Sequence, residues 1–456
     1  MLPPRQHLHP HQTLKAPDRH RLLAKSRDGQ AKWTQDKGAQ GSYALGMGEW
    51  LGRMIEVDVT NIAHGGVSVA RHDGRVVFVS DAIPGERVLV RITDDKKKSF
   101  WRAETVTVVT ASEHRREHVW SAASVERDPD DRAGGAEFGH IDLNHQRTLK
   151  AQILGESLER MAQLTLAPEV EAVPGDDERN GLGWRTRVSL HVDEAGNVGP
   201  FAARSHRVIP VADLPLATPE LSAGAPLSEN FAGFDRVDIL NPSSGGVRLI
   251  MGKQKPQVIT ETVGEREFTL LDSGFWQVHH GAAEVLTAAV QDAIDPELFD
   301  PAASNLDLYG GVGLFAAAVG DKFGPSTKIT SVESDAIATD HAAKNLSEWL
   351  GAHAETGRVD RWLRELLKNA SAAERSRLER STIVLDPPRS GAGREVVELL
   401  TAARPAQVVY VACDPVAFAR DVAFFTNRGY TLAKVRAFDL FPHTHHVEAV
   451  GTFTRN

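Results

Sequence analysis

Along this chain the spacing of apolar positions changes character three times. Residues 1–50 follow neither a helical nor an alternating pattern. Pro3, Pro4, Pro10 and Pro17 stand among scattered His, Gln, Lys and Arg, which predicts a disordered extension, with Met47 and Met54 as possible starts. From Met54 the period becomes two, in short runs over 54–60, 66–70, 75–79, 87–92 and 101–108. The turns between them carry His64-Gly65-Gly66, Asp73-Gly74 and Pro84-Gly85. Five short strands in so few residues predict a small barrel of the OB kind over 51–114. The stretch 115–265 is less regular. It predicts an amphipathic helix over 149–161, with Leu154, Leu158 and Met161 on one side, and strands over 184–192 and 198–209.

From Gly281 onward apolar runs and helical patterns alternate. A helix over 282–294 leads to a strand at 305–309, the loop Gly310-Gly-Val-Gly313 and a helix through Val319. A strand over 327–333 follows, and Asp335 caps a helix expected to run to Leu350. Strands at 382–386 and 408–411 continue the series, which is that of a doubly wound parallel sheet. The last pair, 430–438 and 447–453, has too short a connection to be anything but antiparallel. Such a sheet over 266–456 has the shape of class I S-adenosylmethionine-dependent methyltransferases. The fold class expected is therefore α/β, with an OB-like barrel before it and a central β-rich connecting domain over 115–265.

Composition narrows the setting. A chain of 456 residues, 25% charged and 41% hydrophobic, suits a soluble protein of several domains. Its single cysteine excludes a disulfide framework, a four-thiolate iron–sulfur cluster and a cysteine-built zinc site, and fits a reducing cytoplasm. No apolar run reaches the roughly 20 residues of a membrane helix. A net charge of −9 argues against indiscriminate coating of nucleic acid, though not against a local basic patch.

That cysteine, Cys413, falls where the strand at 408–411 gives way to a helix. Asp414 is suited to cap the helix and Pro415 to open it. The helix dipole is expected to lower the thiol pKa there. A buried structural cysteine is the competing reading. Gly311 and Gly313 would let backbone approach a ligand, and Glu333, ending the next strand, is placed for ribose hydroxyls. A dinucleotide fingerprint is also loosely met there, but nothing downstream supplies a hydride acceptor. Lys96, Lys97, Lys98 and Arg102, with Phe100 and Trp101 between them, form a cationic loop with aromatic faces for RNA. Asp94 and Asp95 partly cancel its charge. Arg185, Arg187, Arg204 and Arg207 either grip phosphates or form a solvated face.

Four motifs occur in order: Asp307-Leu-Tyr-Gly-Gly-Val-Gly313, Leu385-Asp-Pro-Pro-Arg389, Tyr410-Val-Ala-Cys-Asp-Pro415 and Phe441-Pro-His-Thr-His-His-Val-Glu448. Together they resemble the RNA uracil-5-methyltransferases, which modify tRNA and large-subunit rRNA, and the five-stranded segment resembles their TRAM domain. The resemblance implies S-adenosylmethionine as cofactor, RNA as substrate, Cys413 as nucleophile and Glu448 as base. It also implies that Gln277, Tyr309, Glu333 and Asp386 line the cofactor and uracil site, with Asp386 on the uracil edge. A cytoplasmic monomer, with no membrane association, is expected.

Many relatives carry a cysteine cluster that holds an iron–sulfur centre. Gly134-Gly-Ala-Glu-Phe138 stands in that region here without cysteines, so no cluster is expected. Gly310 replaces a frequent cysteine, Asp414 a frequent asparagine, Leu314 a polar residue that often contacts cofactor, and Arg358 an acidic residue near adenine. His443, His445 and His446 suggest pocket or structural histidines rather than a metal site. An amino-group methyltransferase and a non-catalytic RNA-binding or ribosome-assembly factor remain the alternatives.

Overall fold

The computed structural model describes residues 49–203 and 205–456. The extension expected to be disordered lies, as far as residue 48, outside the described residues, and so do Met47 and Arg204.

Strands β1 (Met54–Ala63), β2 (Val67–His72), β3 (Arg75–Ser80), β4 (Arg87–Asp94) and β5 (Phe100–Thr110) close into a barrel in the order β1-β2-β3-β5-β4. The period of two does its work: Ile55, Val57 and Val59 point inward while Glu56 and Asp58 face water. Trp101 departs from expectation. It is only 3% exposed and belongs to the barrel core with Val77, Val90 and Ile92, so it offers no stacking face to RNA. Its neighbour Phe100 stays half-buried against Phe78.

Helix α1 (Leu143–Ala162) is longer than its apolar stripe suggests, because Asp142 caps it by accepting the N–H groups of Asn144 and His145. Leu149, Ile153, Leu154 and Leu158 form its buried side, whereas Met161 is exposed. After β6 (Val170–Ala172) comes a four-stranded sheet of β7 (Arg187–Val192), β8 (Val198–Gly199), β9 (Arg236–Leu240) and β10 (Arg248–Met251). Helix α2 (Pro219–Gly224) lies between β8 and β9, and β11 (Val258–Val263) pairs with β12 (Arg266–Leu271). The strand expected over 198–209 ends at Gly199. Pro200 has no N–H to continue a ladder, and the chain doubles back so that Ile209 donates to the Pro200 carbonyl and Ala202 to that of Arg207.

The remaining elements are α3 (Ala282–Ala293), β13 (Asn305–Leu308), α4 (Leu314–Phe323), β14 (Ile329–Glu333), α5 (Ala336–Asn345), β15 (Ala352–Thr356), α6 (Val359–Asn369) and α7 (Ala372–Glu379). They continue with β16 (Thr382–Leu385), α8 (Gly393–Ala403), β17 (Gln407–Ala412), α9 (Pro415–Thr426), β18 (Tyr430–Asp439) and β19 (Glu448–Arg455). The sheet runs β15-β14-β13-β16-β17-β19-β18-β6, parallel from β15 to β17, antiparallel through β19, and closed by β6 parallel to β18. Helix α5 stops short of Leu350 because the Asn345 side chain turns away to bond Thr269 and the Val312 carbonyl. Both sheet faces are buried. Val408, Tyr410 and Ala412 pack with Phe418 and Val422 of α9 and Leu400 of α8, while Val409 and Val411 pack among Leu286 of α3 and Phe315 of α4. That explains the unbroken apolar runs in the sequence. The order reverses between β13 and β16, and the carboxyl ends flanking that switch point are where ligands of open α/β sheets bind.

Candidate active site

The carboxyl edge of the sheet collects the chemistry. Cys413 follows β17 and is half-buried. Asp414 caps α9 as expected, its Oδ1 accepting the N–H groups of Val416 (3.1 Å) and Ala417 (2.8 Å), with Pro415 in the first turn. Because β19 runs antiparallel to β17, its first residue, Glu448, lies at this same edge, where it is 4% exposed. Asp386 follows β16, and its backbone N–H donates to the Leu308 carbonyl at 3.2 Å.

These acids act on one another. The Cys413 thiol is pushed up to about 12 by burial, Glu448 and Asp386, and Arg389 opposes the rise. Asp386 is lifted to about 7 by burial and Asp307. Glu448 lies well above the usual carboxylate range through burial and Asp386, again opposed by Arg389. The lowered thiol pKa expected from the helix terminus is thus overturned. One helix end does not outweigh desolvation and two facing acids.

Beside this cluster lies the glycine loop. Tyr309 (φ 62°), Gly311 (φ 55°) and Gly313 (φ 92°) all adopt left-handed backbone. No atom lies within 4 Å of the position a Cβ would take at Gly311, so that backbone faces open space. A Cβ at Gly310 would instead meet Ser331 Oγ at 2.0 Å, which explains why glycine stands there. Glu333 ties the loops together: Oε2 accepts the Gly311 N–H (3.2 Å), and Oε1 accepts the Asp335 N–H (2.8 Å). Asp307 is buried, its Oδ2 bonded to Ser331 and to the Ala316 N–H, while its Oδ1 has no partner. Burial raises its carboxyl to about 6. Tyr309, Ser334, Arg358, Pro388 and Gly391 line the adjoining cleft of about 700 Å³. Leu314 is buried, and Arg358 pairs with Asp360. Gln277 stands apart from that cleft. It is half-buried and lines another, of about 510 Å³, with Thr186, Asn241 and Trp276.

The cationic residues divide. Lys96, Lys97, Lys98 and Arg102 are exposed and make no ion pair among the described residues, and Arg102 lies over the Phe100 ring. Arg187 pairs with Glu261 and Arg207 with Asp131, while Arg185 stacks on Trp184. These three serve internal contacts. His443 spends both ring nitrogens, on Gln146 and the Asn180 carbonyl. Among the described residues no three His, Cys, Asp or Glu are grouped to hold a metal ion. Sequence reasoning underrated Arg389, the cation facing the acidic cluster, although its place after Asp386-Pro-Pro was a visible signal.

Comparison with known proteins agrees with this geometry. Residues 302–455 match the tRNA (Uracil-5-)-methyltransferase family, and residues 50–101 match the TRAM domain. A protein of Streptomyces avermitilis, named an uncharacterized RNA methyltransferase, is 35% identical across 88% of this chain and 98% of its own length. One of the same description from Streptomyces coelicolor is 33% identical across 88% and 93%. The crystal structure of Pyrococcus abyssi tRNA (uracil-54, C5)-methyltransferase in complex with S-adenosyl-L-homocysteine shares the fold, with a TM-score of 0.63 and 19% identity over 87% of this chain and 99% of that one. Fold, site and relatives converge: the chain belongs to the RNA uracil-5-methyltransferase family, as a S-adenosylmethionine-dependent enzyme with a TRAM domain.

Proposed function

We propose that this enzyme methylates C5 of a uridine in folded rRNA or tRNA through a covalent bond between Cys413 and C6 of the base. The observation that carries the reading is the convergence of Cys413, Glu448 and Asp386 on one sheet edge, beside an open glycine loop.

The residues at that edge suit the cofactor. The open Gly311 backbone and the left-handed turn leave room for its approach, Glu333 presents a carboxylate to ribose hydroxyls, and the unpartnered Asp307 Oδ1 supports a cationic or donor group nearby. Tyr309, Gly311, Gly313, Glu333 and Asp386 would hold it; for Gln277, which lines a separate cleft, a cofactor contact is supported by the family resemblance alone. Bound S-adenosylmethionine supplies an electrophilic methyl group on a sulfonium.

Uracil C5 is a weak nucleophile. Addition of the Cys413 thiolate to C6 turns the ring into an enolate whose C5 is electron-rich. Asp386 orients the base by accepting N3–H. C5 takes up the methyl group by displacing S-adenosylhomocysteine; Glu448 then removes the C5 proton, and expulsion of the Cys413 thiolate restores the ring. The target uridine must leave its stack to reach this edge, which costs a few kcal/mol. Lys96, Lys97, Lys98 and Arg102 on the barrel meet the RNA backbone. The division into a barrel over 51–114, a connecting domain over 115–265 and a catalytic domain over 266–456 belongs to this reading, as does a monomer working in the cytoplasm.

Mapping 5-methyluridine in tRNA and rRNA from cells with and without the gene tests the reaction. Loss of one or more sites is expected; unchanged maps would overturn it. Trapping on RNA with 5-fluorouridine at the mapped position tests the covalent bond, because fluorine does not leave as a proton does.

A further inference from the structure

The turn between β1 and β2 reaches the loop that carries Cys413. His64 Nε2 lies 3.2 Å from Asp414 Oδ2, while Oδ1 of the same carboxylate holds the first N–H groups of α9. One side chain therefore ties the barrel to the helix that starts beside Cys413. Two residues further on, Gly66 presses on the loop before β19. A Cβ at Gly66 would sit 2.7 Å from His445 Cβ, and its φ of +71° also favours glycine. The same short turn thus touches both loops of the reaction edge, the one after β17 and the one leading to Glu448.

We infer that His64 is a positioning residue, a cationic clamp from the barrel that sets the Cys413–Asp414 loop for attack on RNA. The inference rests on Cys413 being the nucleophile. A carboxylate is needed at position 414 to receive both the helix N–H groups and a protonated imidazole; an amide there would keep the cap but lose the charge. The charge acting on His64 is Asp414. The other titratable ring at the turn is His445, whose Nδ1 lies 3.6 Å from Glu137 and whose ring neighbours His446. The hydrogen bond to Asp414 raises the His64 pKa above 6.5, and the bond from His64 holds Asp414 low despite burial. His64 gains affinity for its proton on folding, so the charged clamp is complete below about pH 6.5 and is lost as pH rises through the folded value.

The test measures the rate of covalent trapping of 5-fluorouridine RNA by the full-length enzyme from about pH 6 to about pH 9. His64→Gln keeps a donor for Asp414 but never carries charge. We expect it to trap about three- to fivefold more slowly than wild type at the acid end and equally fast at the alkaline end. In an Asp414→Asn background the His64→Gln substitution should have no pH-dependent effect. A wild-type to His64→Gln ratio that is constant with pH, or unchanged by Asp414→Asn, would overturn the inference. NMR titration of His64 in the full chain gives an independent reading. Its pKa should lie above 6.5 and fall in Asp414→Asn; an unshifted value in wild type refutes the clamp. If wild type forms no adduct at any pH, it is the nucleophile assignment that fails, and the titration alone then decides whether His64 and Asp414 are coupled.

Discussion

Ala412 and Ala449 face each other across the antiparallel ladder of β17 and β19. The next residue outward from one is Cys413 and from the other Glu448, so two strands of opposite direction deliver a thiol and a carboxylate to one edge. If they divide the reaction as proposed, Cys413→Ala and Glu448→Gln should both lose about 10²–10⁴ in turnover or more, but leave different remnants. Glu448→Gln should accumulate a methylated covalent complex with ordinary RNA, visible on a denaturing gel. Cys413→Ala should make none. Normal turnover in Glu448→Gln would remove that residue from the mechanism.

A second prediction follows from the thiol held near 12 by burial, Glu448 and Asp386. A positive charge brought to this edge favours ionisation of all three groups. S-adenosylmethionine and S-adenosylhomocysteine differ by a methyl group and that charge. Alkylation of Cys413 by iodoacetamide should run faster with the former bound than with the latter, by roughly tenfold for each unit the thiol falls. Equal rates would mean that the cofactor does not activate the thiol.

Asp386 makes stability depend on pH. Burial and Asp307 lift its carboxyl from 3.8 to about 7. Across that window the native state keeps a proton that the unfolded chain releases, so stability falls as pH rises. Asp386→Asn cannot ionise. Its melting temperature relative to wild type should therefore climb between about pH 5 and pH 8. A constant difference would show that Asp386 is not perturbed.

Glu333 bonds the Gly311 N–H on one oxygen and the Asp335 N–H on the other. Glu333→Gln should weaken S-adenosylmethionine binding about ten- to a hundredfold by calorimetry, the worth of hydrogen bonds to a charged group. Unchanged affinity would take Glu333 out of the cofactor site.

Lys96, Lys97 and Lys98 are exposed and unpaired among the described residues. Replacing all three by Ala should flatten the dependence of log K for RNA on log salt by about 2, at roughly 0.7 for each contact to a single strand. A slope equal to that of wild type would leave the loop as solvated surface.

What the sequence disclosed follows from where the physics is local. The Asp414 cap, Pro415 and the glycines after β13 were legible because caps and left-handed turns leave residue-level marks. The apolar runs of β16 and β17 announced a sheet buried on both faces. Strand β15, Ala-His-Ala-Glu-Thr at the sheet edge, has half-buried and exposed positions without a clean alternation and went unseen. The raised thiol pKa was equally invisible. It arises from burial of the thiol and from Glu448 and Asp386 around it, and neither acid is near Cys413 in sequence. His64 gave no sign of its partner for the same reason.

Strand β6 pairs with β18 through Val170 and Ala437, Glu171 and Phe438, Ala172 and Asp439. During synthesis β18 emerges after every other strand of that sheet except β19, whereas β6 emerges before all of them. The polypeptide that will close the sheet must therefore wait, unpaired, while the whole of its interior is made. Such remote pairing is slow to form and exposes strand edges in the meantime. Once made, it covers the outer edge of β18, the flank on which a second molecule would otherwise add a strand and begin to aggregate.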